Sequence, residues 1–206
     1  MTRSSFSKND YEILAKETLF QGFYRMLRYQ VCHKKFEGGW SVPFTRELFA
    51  TLSAVALLLY DPLRDQVVLI EQFRIGALEH AETPWIIENV AGLLMPGESP
   101  IDAVKREAIE ESGCEVLDIE PIYEYLASPG NSNEYLYLYC GWVDATAANG
   151  IHGLTEEHED IRVLTITTKE AFAMLQQGKI KTAHTMLALL WLQLNQERLK
   201  AKWQKK

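Results

Sequence analysis

The chain has 206 residues, 47 % hydrophobic and 24 % charged, which excludes disordered, collagen-like and coiled-coil proteins and fits one domain with an appendage or two small domains. Its 28 acidic residues outnumber 21 basic ones, giving a net charge of −7, so we expect no nucleic-acid partner, because such partners are bound mainly through their phosphates. The three cysteines form no Cys-x-x-Cys pair, which favours reduced thiols over a disulfide framework.

Residues 1–50 predict a small N-terminal β domain. Residues 1–10 carry charges and serines where a secretory signal needs an apolar stretch, and the apolar runs 54–60 and 186–192 are shorter than the roughly 20 residues that span a bilayer. We therefore expect a cytoplasmic protein without a membrane span. Residues 19–31 are predicted to form one long strand, which turns at 37–39 and pairs with 42–49. So small a sheet buries little core, so we expect it to pack on another surface, such as a second subunit.

Residues 51–206 predict a mixed α/β domain, because short apolar runs alternate with helical patterns. Strands are expected at 53–60, 67–73, 85–91, 119–128, 134–143 and 161–165, and helices at 100–112, 169–177 and 182–196. The last helix has an apolar face that predicts burial in the core, formed by Met186, Leu187, Leu189, Leu190 and Leu194. Residues 145–159 are predicted to be a long loop with carboxylates, and such loops are often functional.

The helix at 100–112 has clear sequence signals at both ends. Ser99 is expected as its N-cap, with Pro100 as the first helical residue, and Gly113 is expected to end it. In that register an inward stripe is formed by Ile101, Val104 and Ala108.

Three carboxylates, Glu107, Glu110 and Glu111, lie at one edge of this predicted helix. Like charges at these spacings destabilise a helix, so a cation is expected to compensate them. Mg²⁺ is one candidate, since it binds carboxylate and phosphate oxygens. A solvated acidic face, with Lys105 and Arg106 as partners, is the alternative.

Residues 92–114 resemble the Nudix box, G-x5-E-x7-R-E-U-x-E-E-x-G-U, in which U is a bulky apolar residue. All seven fixed positions are present, namely Gly92, Glu98, Arg106, Glu107, Glu110, Glu111 and Gly113. Ala108 and Cys114 are small for the bulky positions, a departure that affects packing more than chemistry. Glu98 is expected to pair with Arg106 and so to fix the loop to the helix.

The resemblance to the Nudix family implies an α/β/α sandwich. It also implies hydrolysis of a nucleoside diphosphate that is linked to another moiety, with Mg²⁺, or Mn²⁺, neutralising the phosphates and activating water. The five histidines, His80 and His184 among them, show no metal-ligand spacing, which disfavours a zinc site.

Further segments resemble the bacterial ADP-ribose diphosphatases within that family. They are 71–74, 88–92, 126–130 with Pro129, and 150–163. The resemblance implies hydrolysis of ADP-ribose to AMP and ribose 5-phosphate by a homodimer that exchanges its N-terminal domains. Two alternatives are another nucleotide sugar as substrate, such as GDP-mannose or a UDP-sugar, and a nucleotide-sensing module without activity. The module would be expected to have an added DNA-binding domain and an eroded box.

The same resemblance assigns roles to individual residues. The metal ligands would be Glu107, Glu111, the backbone carbonyl of Ala91 and, from the long loop, Glu159, with Glu110 close by. Glu157 would be the general base, although Glu156, Glu159 and Asp160 share its acidic loop. The substrate contacts would be Arg74 at the phosphates, Arg46 of the other subunit at adenine, Phe23 stacked on the base, Glu134 near the terminal ribose, and Pro129. Residues 131–133 depart from the family pattern, which affects the prediction at the terminal ribose. Phe23 as a core residue is the alternative to its stacking role.

Overall fold

A computed structural model describes residues 6–79 and 82–203. The first five residues of the segment considered for a signal sequence, and His80, lie outside the described residues. The chain forms two compact units, residues 1–52 with 126–135 and residues 53–125 with 136–206. In the part of the chain that is described, no helix is both long enough and apolar enough to cross a membrane.

The N-terminal unit contains a three-stranded antiparallel sheet of β1 (Tyr11–Gln21), β2 (Arg25–His33) and β3 (Phe44–Ala50), in that order. The prediction of one strand over 19–31 is wrong, because the chain reverses after β1, where the Gly22 N–H donates to the Tyr24 carbonyl over 2.9 Å. The predicted partner strand is confirmed, since β3 pairs with β2. The segment 126–135 is tied to β3, because the Phe49 N–H donates to the Asn131 carbonyl.

The second unit contains one large mixed sheet. Its strands are β4 (Ala54–Asp61), β5 (Gln66–Phe73), β6 (Trp85–Glu88), β7 (Val90–Leu93), β8 (Asp118–Leu126), β9 (Tyr135–Trp142), β10 (Ile151–His152) and β11 (Ile161–Thr167). The order is β10-β11-β5-β4-β9-β8, with β6 also paired to β5 and β7 to β4. Strands β4 and β9 run parallel. The helices are α1 (Pro100–Ser112), α2 (Thr168–Gln176) and α3 (Ala183–Trp203).

Strand β4 shows how the sheet separates two cores. Its side chains alternate between the faces, so Ala56 and Leu58 pack with buried residues of α2 and α3, such as Ala171 and Leu189. Leu57 packs on the opposite face with Val104 of α1 and its neighbours. Helices therefore cover both faces of the sheet, and the predicted α/β/α sandwich is confirmed.

Two predicted elements are divided differently in the structure. The single strand predicted at 85–91 is wrong, because Asn89 interrupts it and its backbone N–H donates to the Thr185 hydroxyl over 3.0 Å. The segment 145–159 is not a loop without its own structure, since it contains β10 and two 3₁₀ turns, Ala145–Ala147 and Thr155–Glu157.

Two predicted core faces are also corrected. Ile101 of α1 is 38 % exposed, whereas Glu107 and Glu111 are buried. On α3, Leu190 and Leu194 are exposed, and the buried face consists of Thr185, Ala188, Leu189, Leu192, Leu199 and Trp203. The helix continues to Trp203, which donates from its indole nitrogen to Asp118, and Leu199 and Trp203 extend the buried face along this longer span.

Candidate active site

Helix α1 is capped at both ends by local contacts. At the start of α1 the Ser99 hydroxyl accepts from the Asp102 N–H over 3.1 Å, as expected of an N-cap. At its end Gly113 adopts φ 69°, a left-handed conformation that favours glycine. These contacts set the register in which the glutamates of α1 face the sheet.

Arg106 joins three carboxylates of this segment. It donates twice to Glu98, over 2.9 and 3.1 Å, which is the pairing that the sequence predicts. It also donates to Glu107 over 2.8 Å and to Glu110 over 2.9 Å. One guanidinium thus carries the positive charge beside three negative groups, and it fixes the loop to the helix.

Glu111 is the most deeply placed carboxylate of the group, with 2 % of the residue exposed. The Ala91 N–H donates to its Oε2 over 3.0 Å, and Gln72 Nε2 lies 3.4 Å from its Oε1. Burial raises the pKa of Glu111 to about 8, and the charges of Glu107 and Glu159 raise it further. The Ala91 bond and the charge of Arg74 act in the opposite direction. At this carboxylate the effect of burial therefore outweighs the positive charge of Arg74.

Glu107 and Glu159 belong to the same electrostatic group. Burial raises the pKa of Glu107 despite the bond to Arg106, and the charges of Glu110 and Glu159 raise it further. Across residues 6–79 and 82–203, no three carboxylate, imidazole or thiol groups already converge as a metal site. The donor chemistry nevertheless fits a hard divalent cation, because such a cation binds oxygen ligands and relieves the repulsion between buried carboxylates.

Gly92 leaves room for the Glu107 carboxylate. A Cβ at position 92 would lie 1.9 Å from Glu107 Oε1, far inside van der Waals contact. The other fixed glycine of the box, Gly113, would meet the ring of His152 at 2.8 Å. Both glycines are therefore explained by close neighbours.

The variant Gly92→Ala tests the position of Glu107. The added methyl displaces a flexible side chain rather than backbone, so we expect Tm to change little while the affinity for Mg²⁺ falls about 10- to 100-fold. Mg²⁺ titration followed by calorimetry measures this loss. Gly76→Ala is the control, because a Cβ there meets nothing within 4 Å. An unchanged Mg²⁺ affinity in Gly92→Ala would contradict the prediction.

Glu157 and Glu159 lie on a short turn that closes on itself. The Leu154 N–H donates to the Glu159 carboxylate over 3.2 Å, and the Glu159 N–H donates to the Leu154 carbonyl over the same distance. Glu157 ends the 3₁₀ turn and its side chain is exposed. The turn is anchored to α1, because the Gly153 N–H donates to the Glu110 carbonyl. Glu157 is therefore carried on the turn that holds Glu159.

Arg74 follows β5 and is paired with a buried acid. Its Nε donates to Glu88 Oε1 over 2.6 Å, and Glu88 is 1 % exposed. Burial lowers the pKa of Arg74, but Glu88, Glu111 and Glu159 raise it above its ordinary value. The guanidinium is therefore a stable cation in the electrostatic group of the box carboxylates.

The remaining predicted substrate contacts lie in the N-terminal unit. Phe23 is 83 % exposed and contacts the Tyr24 ring edge to face, so its alternative interpretation as a core residue is wrong. Arg46 lies on β3, with its guanidinium 4.7 Å from the centre of the Phe44 ring. Pro129 and Glu134 lie in segment 126–135, which the Ala127 N–H closes by donating to the Glu134 carbonyl.

Gln72 and Glu88 contact the predicted site residues, although the sequence assigned neither a role. Both stand in runs that the sequence marked, 71–74 and 88–92. The sequence feature that could have identified them is a polar residue at an inward position of an apolar strand. Gln72, for example, is 5 % exposed. Periodicity indicates that such a residue is inward, but it does not identify the partner.

The α/β/α sandwich and the glutamates of α1 are the features by which the protein family can be recognised. The NUDIX domain family matches residues 50–186, and the chain belongs to that family. It is 47 % identical over 199 residues to the ADP-ribose pyrophosphatase of Escherichia coli strain K12, covering 97 % of this chain and 95 % of that protein. It is 42 % identical over 203 residues to the ADP-ribose pyrophosphatase of Haemophilus influenzae, covering 97 % and 94 %.

Two further comparisons extend this result. The chain is 32 % identical over 181 residues to the GDP-mannose pyrophosphatase of Citrobacter koseri, covering 87 % of this chain and 93 % of that protein. A solved structure of an ADP compounds hydrolase superposes with a TM-score of 0.71 at 19 % identity, covering 97 % of this chain and 99 % of that one. The similarity to this solved structure shows a shared fold.

Proposed function

We propose that the protein hydrolyses ADP-ribose to AMP and ribose 5-phosphate in the presence of Mg²⁺, with Mn²⁺ as the alternative cation. The similarity to two ADP-ribose pyrophosphatases over 97 % of the chain carries this proposal, and the complete set of box carboxylates supports it. A cytoplasmic location is part of the proposal, and the free, buried state of Cys32, Cys114 and Cys140 agrees with it.

The residues of this chain divide the chemistry between them. Glu107, Glu111, Glu159 and the Ala91 carbonyl would hold the divalent cation, with Glu110 close by; when bound, it neutralises the diphosphate and lowers the pKa of water. Arg74 would bind the diphosphate. Glu157 would accept a proton from the attacking water, whose oxygen bonds to one phosphorus as the P–O–P bridge breaks.

Product analysis by chromatography tests the proposed reaction. Purified protein is incubated with Mg²⁺ and equal concentrations of ADP-ribose, NADH, GDP-mannose and UDP-glucose, with an EDTA control. We expect AMP from ADP-ribose in preference to turnover of the other compounds, and none with EDTA. Preference for GDP-mannose would support the relation to GDP-mannose pyrophosphatase, whereas no turnover of any compound would favour a nucleotide-sensing module.

Mg²⁺ is expected to stabilise the folded protein in the absence of substrate. A ligand that binds only the native state at 100 times its Kd adds about 2.7 kcal/mol of stability, or roughly 5–10 °C in Tm for a chain of this length. Differential scanning calorimetry with Mg²⁺ and then with EDTA measures the shift. Equal Tm values under the two conditions would contradict the proposed metal site.

We also propose that the protein is a homodimer in which the N-terminal unit of one protomer completes the partner's site through Arg46 and Phe23. Exposed apolar side chains of the N-terminal unit support this, because Ile13 and Phe20 of β1 and Phe23 of the β1–β2 turn are each more than half exposed.

Mixed dimers of Arg46→Ala and Glu111→Gln test the exchange. In an exchanged dimer one site carries both defects and the other carries neither, so co-expressed heterodimers should recover about half of the wild-type activity at low ADP-ribose. Rates are measured on heterodimers separated by two affinity tags. If each site is completed within its own protomer, every site keeps one defect and no recovery is seen.

A further inference from the structure

Glu88 links three elements of the second unit through its two carboxylate oxygens. Arg74, after β5, donates from Nε to Oε1 over 2.6 Å. His184, the second residue of α3, places Nε2 3.4 Å from Oε2. Because Glu88 is 1 % exposed, protein groups must compensate its charge. The pair of contacts therefore places the start of α3 next to the partner of Arg74.

The contact between His184 Nε2 and Glu88 is not an ordinary hydrogen bond. The distance to Glu88 is longer than an ordinary N–H···O hydrogen bond, and Nε2 has no hydrogen-bond partner within the described residues. Burial alone raises the pKa of a carboxyl, yet the pKa of Glu88 is lowered because His184 and Arg74 stabilise its anion. His184 thus acts on Glu88 as a close neighbour on its Oε2 side.

The position of His184 is fixed by the residue that follows it. The Thr185 hydroxyl donates to Asn89 Oδ1 over 2.6 Å and accepts from the Asn89 N–H over 3.0 Å. Asn89 and Thr185 are both fully buried. These two bonds hold the first turn of α3 against the junction of β6 and β7. The backbone that carries the His184 imidazole is therefore fixed next to β6, the strand of Glu88.

We infer that His184 is a positioning residue for diphosphate hydrolysis, which holds the Glu88 carboxylate so that Glu88 in turn orients the Arg74 guanidinium through its Nε. The terminal nitrogens of Arg74 are then left for the substrate diphosphate. This inference rests on the proposed function, in which Arg74 binds the diphosphate.

A double-mutant cycle on His184 and Arg74 tests the link. His184→Ala is expected to raise KM for ADP-ribose about 5-fold with kcat within twofold, since an interaction equal in ground and transition states changes KM alone. In the Arg74→Ala background the same change is expected to have no further effect. His184→Gln keeps an N–H donor and should restore KM to within about twofold of wild type. The exposed Lys181 provides the control Lys181→Ala.

The outcomes separate this inference from the proposed function. Suppose that the wild type is active but the two substitutions have multiplicative effects on KM in the double variant, or that His184→Gln behaves like His184→Ala. Then His184 supports only the fold, and this inference is overturned while the proposed function stands. If wild type does not hydrolyse ADP-ribose, the proposed function fails and the inference fails with it. Tm is measured for every variant, and His184→Leu, which also lacks a donor, replaces His184→Ala in the cycle if that variant does not fold.

Discussion

Replacement of Glu111 by glutamine is expected to lower kcat about 1,000-fold, the effect of losing about 4 kcal/mol of metal-dependent stabilisation of the transition state. Glutamine keeps the shape of the side chain and its acceptor for the Ala91 N–H, but it removes the negative charge. Steady-state kinetics with ADP-ribose at saturating Mg²⁺ measure the loss. The control is Glu115→Gln, which neutralises an exposed acid just beyond the helix.

The same variant should differ from wild type in stability, with a sign that depends on pH. Burial raises the pKa of Glu111 from 4.5 to about 8 in the fold, so without metal the wild type loses stability as pH rises through that interval. We expect Glu111→Gln in EDTA to be more stable than wild type near pH 7.5 and similar to it near pH 4.5. Loss of activity together with a lower Tm at pH 7.5 would indicate a structural role instead.

The second large effect is expected at Glu157. Removal of a general base costs about 10²- to 10⁴-fold in rate, so Glu157→Gln should lower kcat by at least 100-fold. Tm and the stabilisation by Mg²⁺ should be unchanged, because the side chain is exposed at the end of a 3₁₀ turn. Rates are measured with calorimetry on the same samples.

Glu156 supplies the matched control, since it precedes Glu157 in the same turn and is also exposed. Glu156→Gln should keep nearly all of the activity. Should Glu156→Gln or Asp160→Asn show the large loss while Glu157→Gln remains active, the general base would be reassigned to that residue. Loss of the Mg²⁺-dependent rise in Tm in Glu157→Gln would point to metal binding instead.

The parts of the structure that follow from local signals could be predicted from the sequence. Helix α1 begins at Pro100 and ends at Ser112, as Ser99 and Gly113 indicate, because capping depends on neighbours within a turn. The pairing of Glu98 with Arg106 is likewise close in sequence. The box could therefore be placed on its loop and helix before any coordinates were known.

The parts that depend on distant partners could not be predicted in this way. Asn89 interrupts a strand because its backbone N–H donates to the hydroxyl of Thr185, 96 residues later in the chain. The reversal at Gly22–Tyr24 falls among aromatic residues that read as strand. Burial of Glu111 also arises from tertiary packing, since α1 turns this carboxylate towards Ala91 of β7. Residue spacing alone contains no information about such partners.

The several bonds of Arg106 have a consequence for handling the protein. Because this guanidinium donates to Glu98, Glu107 and Glu110, we expect the loop to stay fixed to its acidic helix when no ion is bound. Chelation should therefore inactivate the enzyme reversibly, with full rates returning as soon as Mg²⁺ is restored and without a refolding lag. The polypeptide can accordingly be purified in chelator, stored in that state and loaded with a chosen ion afterwards.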